Sequence, residues 1–248
     1  MGKGNVYKEA VKTRNNTAFL KNENADICNM KVLITAATHH EVDITQQYLA
    51  EKIYLRKDCN VHILITGVGL ANTTYTLTKY LSKTKPDLVV QAGIGGSLHP
   101  FYPPGSVAVI KEEVWGDLGV EESNTFKDLF DLKLAENVFP YSSKMLVNPH
   151  QHLLEKVKLK KARAVSVNEI TTSSSRIQQL IEKYGVVIES MEGAAFHYVC
   201  LQEAVPFLQI RAVSNMVGER DKTKWLMKEA IANLNRELII LIRPMICH

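Results

Sequence analysis

Two segments of the chain place polar side chains directly after apolar runs. In the first, an apolar run that ends at Ile188 leads into Glu189 and Glu192, and in the second, a run that ends at Ile210 leads into Asn215. Open α/β sheets bind their ligands just beyond the carboxyl ends of the strands. Carboxylates and an amide at two such ends therefore predict a pocket for a small polar ligand.

Glu192 and Asn215 each allow a structural and a functional interpretation. Glu192 lies where a helix is expected to begin, so its carboxylate can complement the helix dipole. Alternatively, its two acceptor oxygens can bind the vicinal hydroxyl groups of a ribose. Asn215 can cap the next helix, or its amide can pair with a 6-oxopurine, the oxygen accepting from N7–H and the nitrogen donating to O6. Adenine has an amino group in place of O6 and would fit this amide poorly.

Glu41 also has two interpretations. Thr38-His-His-Glu41 has the pattern of a capping box, in which the threonine and the glutamate bind backbone N–H groups at the start of a helix. Alternatively, Glu41 follows the first strand and can act as a general base in the pocket. The local sequence does not separate the two.

Two glycine-rich segments follow apolar strands. Gly93-Ile-Gly-Gly96 lets backbone N–H groups approach a ligand because no Cβ stands in the way, although a simple turn would use the same glycines. Gly67-Val-Gly-Leu-Ala-Asn72 resembles a dinucleotide-binding fingerprint, but it lacks the third glycine, and no acidic residue follows the neighbouring strand. We interpret the second segment as a tight strand-to-helix turn and expect no cofactor.

The composition excludes several classes of protein. The formal net charge is only +4 and the lysines are scattered, so we expect no nucleic-acid partner. No apolar run approaches the roughly 18 residues of a membrane span, so we expect no membrane association. The cysteines lack C-x-x-C spacing and no histidine pattern accompanies them. This argues against a metal site and favours reduced thiols in a cytoplasmic protein.

Regular structure is expected to begin at Met30. Residues 1–29 are rich in Asn and Lys and lack the apolar core of a signal peptide. We expect them to form a disordered tail, or to precede the true start of the protein. Residues 30–248 are expected to form one folded domain.

Apolar, β-branched runs alternate with helical patterns along this domain. The predicted strands are Lys31–Ala36, Val61–Gly67, Leu88–Ala92, Ser106–Lys111, Arg163–Val167, Val186–Ile188 and Phe207–Ala212. The predicted helices are His40–Lys52, Leu70–Lys83, His150–Lys158, Ser174–Tyr184, Met191–Glu203 and a long one from Asp221 to about Leu241. The alternation predicts an α/β fold, a single three-layer domain with a central, mostly parallel twisted sheet flanked by helices.

Three local patterns refine this prediction. Asn148 followed by a proline is typical of a helix start, with the asparagine as N-cap, and Gly185 stands where a helix is expected to end. The stretch from Trp115 to Tyr141 shows little periodicity and is expected to be mostly loop.

Taken in chain order, the motifs resemble those of the nucleoside phosphorylase and hydrolase superfamily. The resemblance extends from Met30 to about Leu241. It rests on an ordered set of Glu41-Val42, Gly93–Gly96, Asp117-Leu-Gly-Val120, Ser190-Met-Glu-Gly-Ala-Ala195 and Arg211-Ala-Val-Ser-Asn215. Within the superfamily, the segments Glu189–Gly193 and Ser214–Asp221, with Trp225, are most similar to the futalosine hydrolases.

Two departures separate the chain from other branches of the superfamily. Methylthioadenosine/S-adenosylhomocysteine nucleosidases carry Asp at the position of Asn215 and Glu at that of Ser190, so the resemblance argues against an adenine nucleoside. Phosphorylases typically hold phosphate with an arginine in the loop after the first strand, and the residues from Thr35 to Glu41 contain none. The resemblance therefore favours water over phosphate as the nucleophile.

The activity that the resemblance implies is hydrolysis of the N-glycosidic bond of a 6-oxopurine nucleoside. The expected substrate is futalosine, in the alternative menaquinone pathway of bacteria, and the expected products are hypoxanthine and dehypoxanthine futalosine. The alternatives are a methylthioadenosine/S-adenosylhomocysteine nucleosidase, an inosine phosphorylase, and a nucleoside-binding protein without turnover. The resemblance also implies a homo-oligomer, dimeric or larger.

The resemblance assigns roles to particular residues. Glu41 would aim and deprotonate the water, Glu192 with Met191 would hold the ribose, and Asn215 would stabilise the departing purine. Four further residues would bed the purine or the sugar, two through the backbone and two through side chains: Ile94, Gly95, Ile170 and Thr171.

Futalosine also carries a benzoate arm, for which the resemblance suggests two residues. Arg220 would pair with its carboxylate and Trp225 would pack against its ring. The structural alternatives are an ion pair between Arg220 and Asp221 and a place for Trp225 in the hydrophobic core.

Overall fold

The computed structural model describes residues 30–55, 60–123 and 125–246. The tail expected over residues 1–29 lies outside this part of the chain. Within it, the predicted α/β fold is confirmed: helices flank a central sheet in which most strand pairs are parallel.

Strands and helices alternate as the sequence patterns predict. The strands are β1 (Val32–Ala36), β2 (Val61–Ile65), β3 (Leu88–Ser97), β4 (Val107–Trp115), β5 (Gly119–Glu122), β6 (Thr125–Asp128), β7 (Leu146–Val147), β8 (Lys160–Ser166), β9 (Ile188–Ser190) and β10 (Phe207–Met216). The α-helices are α1 (Asp43–Leu55), α2 (Leu70–Leu81), α3 (Gln151–Lys156), α4 (Ser174–Tyr184), α5 (Gly193–Gln202) and α6 (Met227–Ile242).

The central sheet forks along β3. On one side, β3 pairs with β10 over most of its length. On the other side, residues 88–91 pair with β1, whereas Gly96 and Ser97 pair with β9. Strands β10, β4, β8 and β9 continue around and return to β3. Residues 92–95 therefore have no strand partner on the side of the fork, which leaves a crevice at a topological switch point, where α/β sheets bind ligands.

The two faces of the sheet bury different helices. On β1, Val32 and Ile34 point toward a core that includes residues of α1 and α6, whereas Leu33 points toward a second core with residues of α2 and α5. This alternation follows from the two-residue period of a strand. It produces the predicted three layers and fixes the strand ends on which the polar residues lie.

Some predicted boundaries were wrong. Strands β3 and β10 run to Ser97 and Met216, so Gly93–Gly96 belongs to a strand and is neither a loop nor a turn. The stretch from Trp115 to Tyr141 contains the β5–β6 hairpin, held by Arg176 over the ring of Phe126 at 4.0 Å. Each of its strands has only four residues, which is too few to show periodicity, so the pattern suggested only loop.

One predicted helix end is correct and one predicted helix start is wrong. Gly185 does end α4 in the left-handed conformation, with φ 63°. The residue that caps α3 is His150 rather than Asn148, whose Oδ1 instead accepts the backbone N–H of His150 at 2.9 Å. Pro149 therefore lies before the helix rather than in its first position. A three-residue 3-10 helix, Lys222–Lys224, precedes α6, and Asp221 caps it.

Candidate active site

A cavity of about 480 Å³ opens at the fork of the sheet. Its size falls within the usual range for small-molecule sites. Predicted site residues from distant parts of the chain line it together: Glu41, Ile94, Gly95, Ile170, Met191, Glu192, Asn215 and Arg220. Thr171 is not among the lining residues; it is buried, and its backbone N–H donates to Glu189 Oε1 at 3.0 Å.

Glu41 lies at the fork and is held by two backbone donors. Its Oε1 accepts the N–H of Ile94 at 3.1 Å, which is free because β3 has no strand partner there, and its Oε2 accepts the N–H of Thr38 at 2.9 Å. The capping box and the place in the cavity therefore coexist. Burial raises the pKa of Glu41, although the nearby Arg211 guanidinium lowers it in part.

Glu192 is the N-cap residue of α5 and uses both carboxylate oxygens. Oε1 accepts the N–H of Gly69 at 3.1 Å, and Oε2 lies 3.3 Å from Nη1 of Arg211. The glycine turn that resembled a dinucleotide fingerprint thus contributes a donor to the ribose-binding candidate. Each oxygen keeps a lone pair that can accept from a ligand hydroxyl.

Arg211 is a buried cation beneath the cavity that sequence reasoning did not include in the site. It is 1% exposed, and its Nη2 donates to Oε1 of Gln91 at 3.0 Å. Gly93 makes room for it, since a Cβ at that position would overlap the guanidinium. The sequence did contain one indication of this role, an arginine inside an apolar strand. An arginine is rarely buried unless it is paired, so this position predicts a buried partner.

The amide of Asn215 has a defined orientation. Its Nδ2 donates to the carbonyl oxygen of Met216 at 2.8 Å, which can only accept, so the amide oxygen must face Ser214. The hydroxyl of Ser214 lies 2.7 Å from that oxygen and can donate to it. One N–H and one lone pair of the amide remain available. These are the donor and the acceptor that pairing with a 6-oxopurine requires.

A further buried carboxylate, that of Glu113, lies under the start of α5. Glu113 accepts from Nε2 of Gln209 at 2.8 Å and from the hydroxyl of Ser166 at 3.1 Å. Ser166 in turn accepts the N–H of Ala194 at 2.8 Å. This cluster anchors the first turn of α5, and so it fixes the backbone that carries Glu192.

Burial raises the pKa of Glu113 to about 7, against hydrogen bonds from Gln209 and Ser166 that lower it. The sequence offered only a pair of glutamates, at 112 and 113, within a strand pattern. It did not indicate which of the two points inward.

The mouth of the cavity is formed by the loop before α6. The guanidinium of Arg220 lies over the ring of Trp225, 5.6 Å from its centroid, and both residues line the cavity. Asp221 accepts instead from the N–H and the hydroxyl of Thr223. Arg220 and Asp221 therefore do not form the ion pair that was the structural alternative, and Trp225 lines the cavity rather than the hydrophobic core.

The described part of the chain shows neither a metal-binding cluster nor a membrane-spanning helix. Among residues 30–55, 60–123 and 125–246, no group of three or more His, Cys, Asp or Glu side chains is arranged to hold a metal ion. None of the helices over these residues is long and apolar enough to cross a membrane.

Comparison with known proteins places this chain in a family. A model described as the phosphorylase superfamily matches residues 20–245. A futalosine hydrolase of Thermus thermophilus is 31% identical over 176 residues, which cover 70% of this chain and 77% of that protein. A 5'-methylthioadenosine/S-adenosylhomocysteine nucleosidase of Buchnera aphidicola is 25% identical over 220 residues, 83% of this chain and 86% of that protein.

Among solved structures, a 5'-methylthioadenosine/S-adenosylhomocysteine nucleosidase of Colwellia psychrerythraea in complex with adenine shares the fold, with a TM-score of 0.70 and 19% identity over 88% of this chain and 96% of the other. The chain belongs to the phosphorylase superfamily. The predicted enzyme class, a purine nucleoside N-glycosidase, is confirmed by these relatives, and their names divide between two substrates.

Proposed function

We propose that this protein hydrolyses the N-glycosidic bond of futalosine and releases hypoxanthine. The supporting observation is that Glu41, Glu192 and Asn215, which are far apart in the chain, line one cavity. Greater identity to a futalosine hydrolase, 31% against 25% for a methylthioadenosine-type nucleosidase, favours the same substrate.

The departing purine would be stabilised by Asn215. Negative charge builds on the base as the bond breaks, and the free amide N–H would meet O6 while the free lone pair of the oxygen accepts from N7–H. An amide does not hand over a proton as a carboxylic acid does. The proton on N7 would therefore come from solvent.

The ribose would be bound by Glu192, with Met191 against the sugar. Arg211 lies 3.3 Å from one carboxylate oxygen, and this buried cation favours the ionised form that accepts from the two hydroxyl groups. The same carboxylate would favour positive charge developing on the sugar in the transition state.

Glu41 would aim and deprotonate the attacking water. Burial raises its pKa toward the range in which a carboxylate is an effective base near neutral pH. Water is favoured over phosphate because, among the described residues, Arg220 is the only lysine or arginine that lines the cavity, and it lies at the mouth. A phosphate bound beside Glu41 and Glu192 would lack a cationic partner facing it.

Arg220 and Trp225 support futalosine rather than a simpler nucleoside. A cation and an aromatic ring at the mouth suit a substituent that carries both a carboxylate and a ring, since the guanidinium can pair with the one and the indole can pack against the other. Inosine offers neither group.

The alternatives are separated by one assay. Release of free base is measured from futalosine, inosine and methylthioadenosine, each with and without phosphate. Futalosine hydrolysis without phosphate supports the proposal. Preferential adenine release would favour the methylthioadenosine-type nucleosidase, dependence on phosphate would favour a phosphorylase, and tight binding without turnover would favour a binding protein.

We further propose that residues 30–248 form the catalytic domain, and that the protein works in the cytoplasm as a homo-oligomer, dimeric or larger. Val68 is exposed beside the cavity, and a neighbouring subunit that packs there would cover this apolar side chain. Light scattering on the purified protein tests this, and a monomeric mass at assay concentrations would contradict it.

A further inference from the structure

Two neighbouring polar atoms in the buried layer beneath the cavity lack hydrogen-bond partners. His197 and Gln209 are fully buried, and neither Nε2 of His197 nor Oε1 of Gln209 has a partner among the described residues. Burial lowers the pKa of His197 to about 3, and the adjacent Gln209 opposes that shift. Because unpaired buried polar atoms are costly, two side by side indicate a different arrangement of hydrogens in this layer.

The ring of His197 can only accept a hydrogen bond at Nε2. Its Nδ1 lies 3.0 Å from the carbonyl oxygen of Leu146, which has no hydrogen to give, so Nδ1 carries the proton. Since the ring is neutral, Nε2 is an unprotonated acceptor. Oε1 of Gln209 is also an acceptor, and two acceptors cannot bond to each other.

A half-turn of the Gln209 amide, which exchanges its oxygen and nitrogen, gives both atoms a partner. The amide nitrogen would then donate to Nε2 of His197, and the amide oxygen would face Oε1 of Glu113 across the present 2.8 Å contact. Those two oxygens can bond only if the carboxyl group of Glu113 carries a hydrogen, and the separation suits an O–H···O bond. The other oxygen of Glu113 keeps its hydrogen bond from Ser166.

We propose that Glu113 is a positioning residue that works in its neutral form, donating to Gln209, which in turn donates to His197. This inference rests on the proposed function, because the group that it positions is Glu192. Glu113 and Gln209 lie directly beneath Gly193, where an added Cβ would overlap both, and Gly193 follows Glu192 in the chain. The hydrogen-bonded chain therefore supports the backbone that carries Glu192.

The neutral form also leaves one buried cation to one buried anion. Two charged groups act on Glu113 from the elements packed against it, Arg211 of β10 and Glu192 at the start of α5. The other neighbouring elements present uncharged groups to this layer: Leu146 of β7, Ser166 of β8 and the neutral ring of His197 in α5. An ionised Glu113 would compete with Glu192 for Arg211, and its charge would disfavour the ionised form of Glu192 that accepts from the ribose.

The kinetic test compares two variants of Glu113 at pH 6 and pH 8. Glu113→Gln keeps a donor and an acceptor and so copies the neutral acid at either pH, whereas Glu113→Leu keeps neither. With futalosine, Glu113→Leu should lose at least about tenfold in kcat/KM, and Glu113→Gln should recover to within about threefold of the wild type at pH 6. Burial raises the pKa of Glu113 to about 7, so the wild-type group ionises between the two pH values. The ratio of kcat/KM for Glu113→Gln to that for the wild type should therefore rise at least about threefold by pH 8.

Glu112→Gln is the matched control for this pH dependence. Glu112 precedes Glu113 in β4, and its ion pairs with Arg163 and Lys111 outweigh burial and lower its pKa. The ratio of kcat/KM for Glu112→Gln to that for the wild type should therefore be the same at both pH values. A ratio for Glu113→Gln that is equally constant, or a Glu113→Gln variant as impaired as Glu113→Leu, would overturn the role of neutral Glu113.

The proton on Glu113 can also be detected without turnover. At pH 6, the infrared spectrum of the wild type should contain the C=O stretch of a protonated carboxyl group that is missing from Glu113→Gln, and this difference should fade at pH 8. If the wild type cleaved futalosine but lacked the difference band, the inference would fail and the proposed function would stand. If the band were present but futalosine were not cleaved, the proposed function would fail and the protonated Glu113 would stand.

Discussion

The inner end of the cavity and its mouth are built differently. At the inner end, Glu189 and Asn215 lie on strands, and Glu41 lies in a short 3-10 helix, His39–Glu41, after β1. Each is held by hydrogen bonds to backbone groups. At the mouth, Arg220 and Trp225 lie on a loop, and the guanidinium of Arg220 is 5.6 Å from the centroid of the Trp225 ring. The difference suggests that the inner end fixes the reaction and the base, while the mouth adjusts the affinity for the substituent.

The largest loss of activity is expected from a change at the inner end. Glu41→Gln should lower kcat about 10²–10⁴-fold, since an amide cannot take the proton of the water. KM should change little, because the amide keeps nearly the same shape and can still accept from Ile94 or Thr38. Steady-state kinetics measure both constants. Glu51→Gln, a change at an exposed glutamate of α1, is the control. A near-normal kcat in Glu41→Gln would reduce Glu41 to a helix cap.

Asn215→Asp should change the choice of base rather than abolish activity. A carboxylate has no hydrogen for O6, and one of its oxygens would face the carbonyl of Met216, where Nδ2 now donates. The ratio of kcat/KM for inosine to that for methylthioadenosine should fall at least about tenfold, which corresponds to about 1.4 kcal/mol. Unchanged selectivity would remove Asn215 from base recognition and leave the inner end without its donor to O6.

Arg220→Gln tests the mouth of the cavity. KM for futalosine should rise about three- to tenfold with kcat retained, because an ion pair at an exposed mouth contributes modestly. KM for inosine, which lacks the arm, should not change. Lys222→Gln, an exposed change in the same loop, is the control. If both substrates lost equally, the arginine would support the loop rather than bind the arm.

The buried layer beneath the inner end should give the protein a pH-dependent stability. Because the pKa of Glu113 is raised to about 7, the folded protein holds a proton between pH 4.5 and 7 that the unfolded chain has released. Its contribution to stability is full below pH 4.5 and is lost as the pH rises through 7, by at most about 1.4 kcal/mol per pH unit.

Glu113→Gln should therefore gain stability relative to the wild type as the pH is raised from 5 to 8, as measured by thermal unfolding. Glu112→Gln is the contrasting control. Burial opposes ionisation of Glu112, but Arg163 and Lys111 outweigh it and lower its pKa, so its effect should stay flat across that range. Parallel curves for the two variants would contradict the role of Glu113.

The sequence predicted the individual polar residues better than their partners. The local sequence pattern indicates where a strand ends. It therefore singled out three polar residues that follow apolar runs: Glu41, Glu192 and Asn215. The pairing of Glu192 with Arg211 and with Gly69 depends on strand order and register, which join segments up to 123 positions apart. Local sequence carries no such information.

The same limit explains the other differences. The fork along β3 arises because β1 and β9 share one side of that strand. Local sequence does not show this pairing, and the glycine-rich segment suggested a turn where the strand in fact continues. Thr171 follows another predicted site residue, Ile170, but it is buried and does not line the cavity, since side chains in a loop have no fixed alternation. Glu189 stood out as a carboxylate at a strand end, but the sequence did not indicate that the backbone N–H of Thr171 donates to it.

The most direct measurement is a crystal structure of the Glu41→Gln variant, which should bind futalosine without cleaving it, soaked with that nucleoside. The ribose hydroxyl groups should lie within hydrogen-bond distance of Glu192, the O6 and N7 edge should face the amide of Asn215, and the benzoate should lie beside Arg220. A nucleoside bound elsewhere, or one whose base and sugar contact none of residues 41, 192 and 215, would contradict the proposed site.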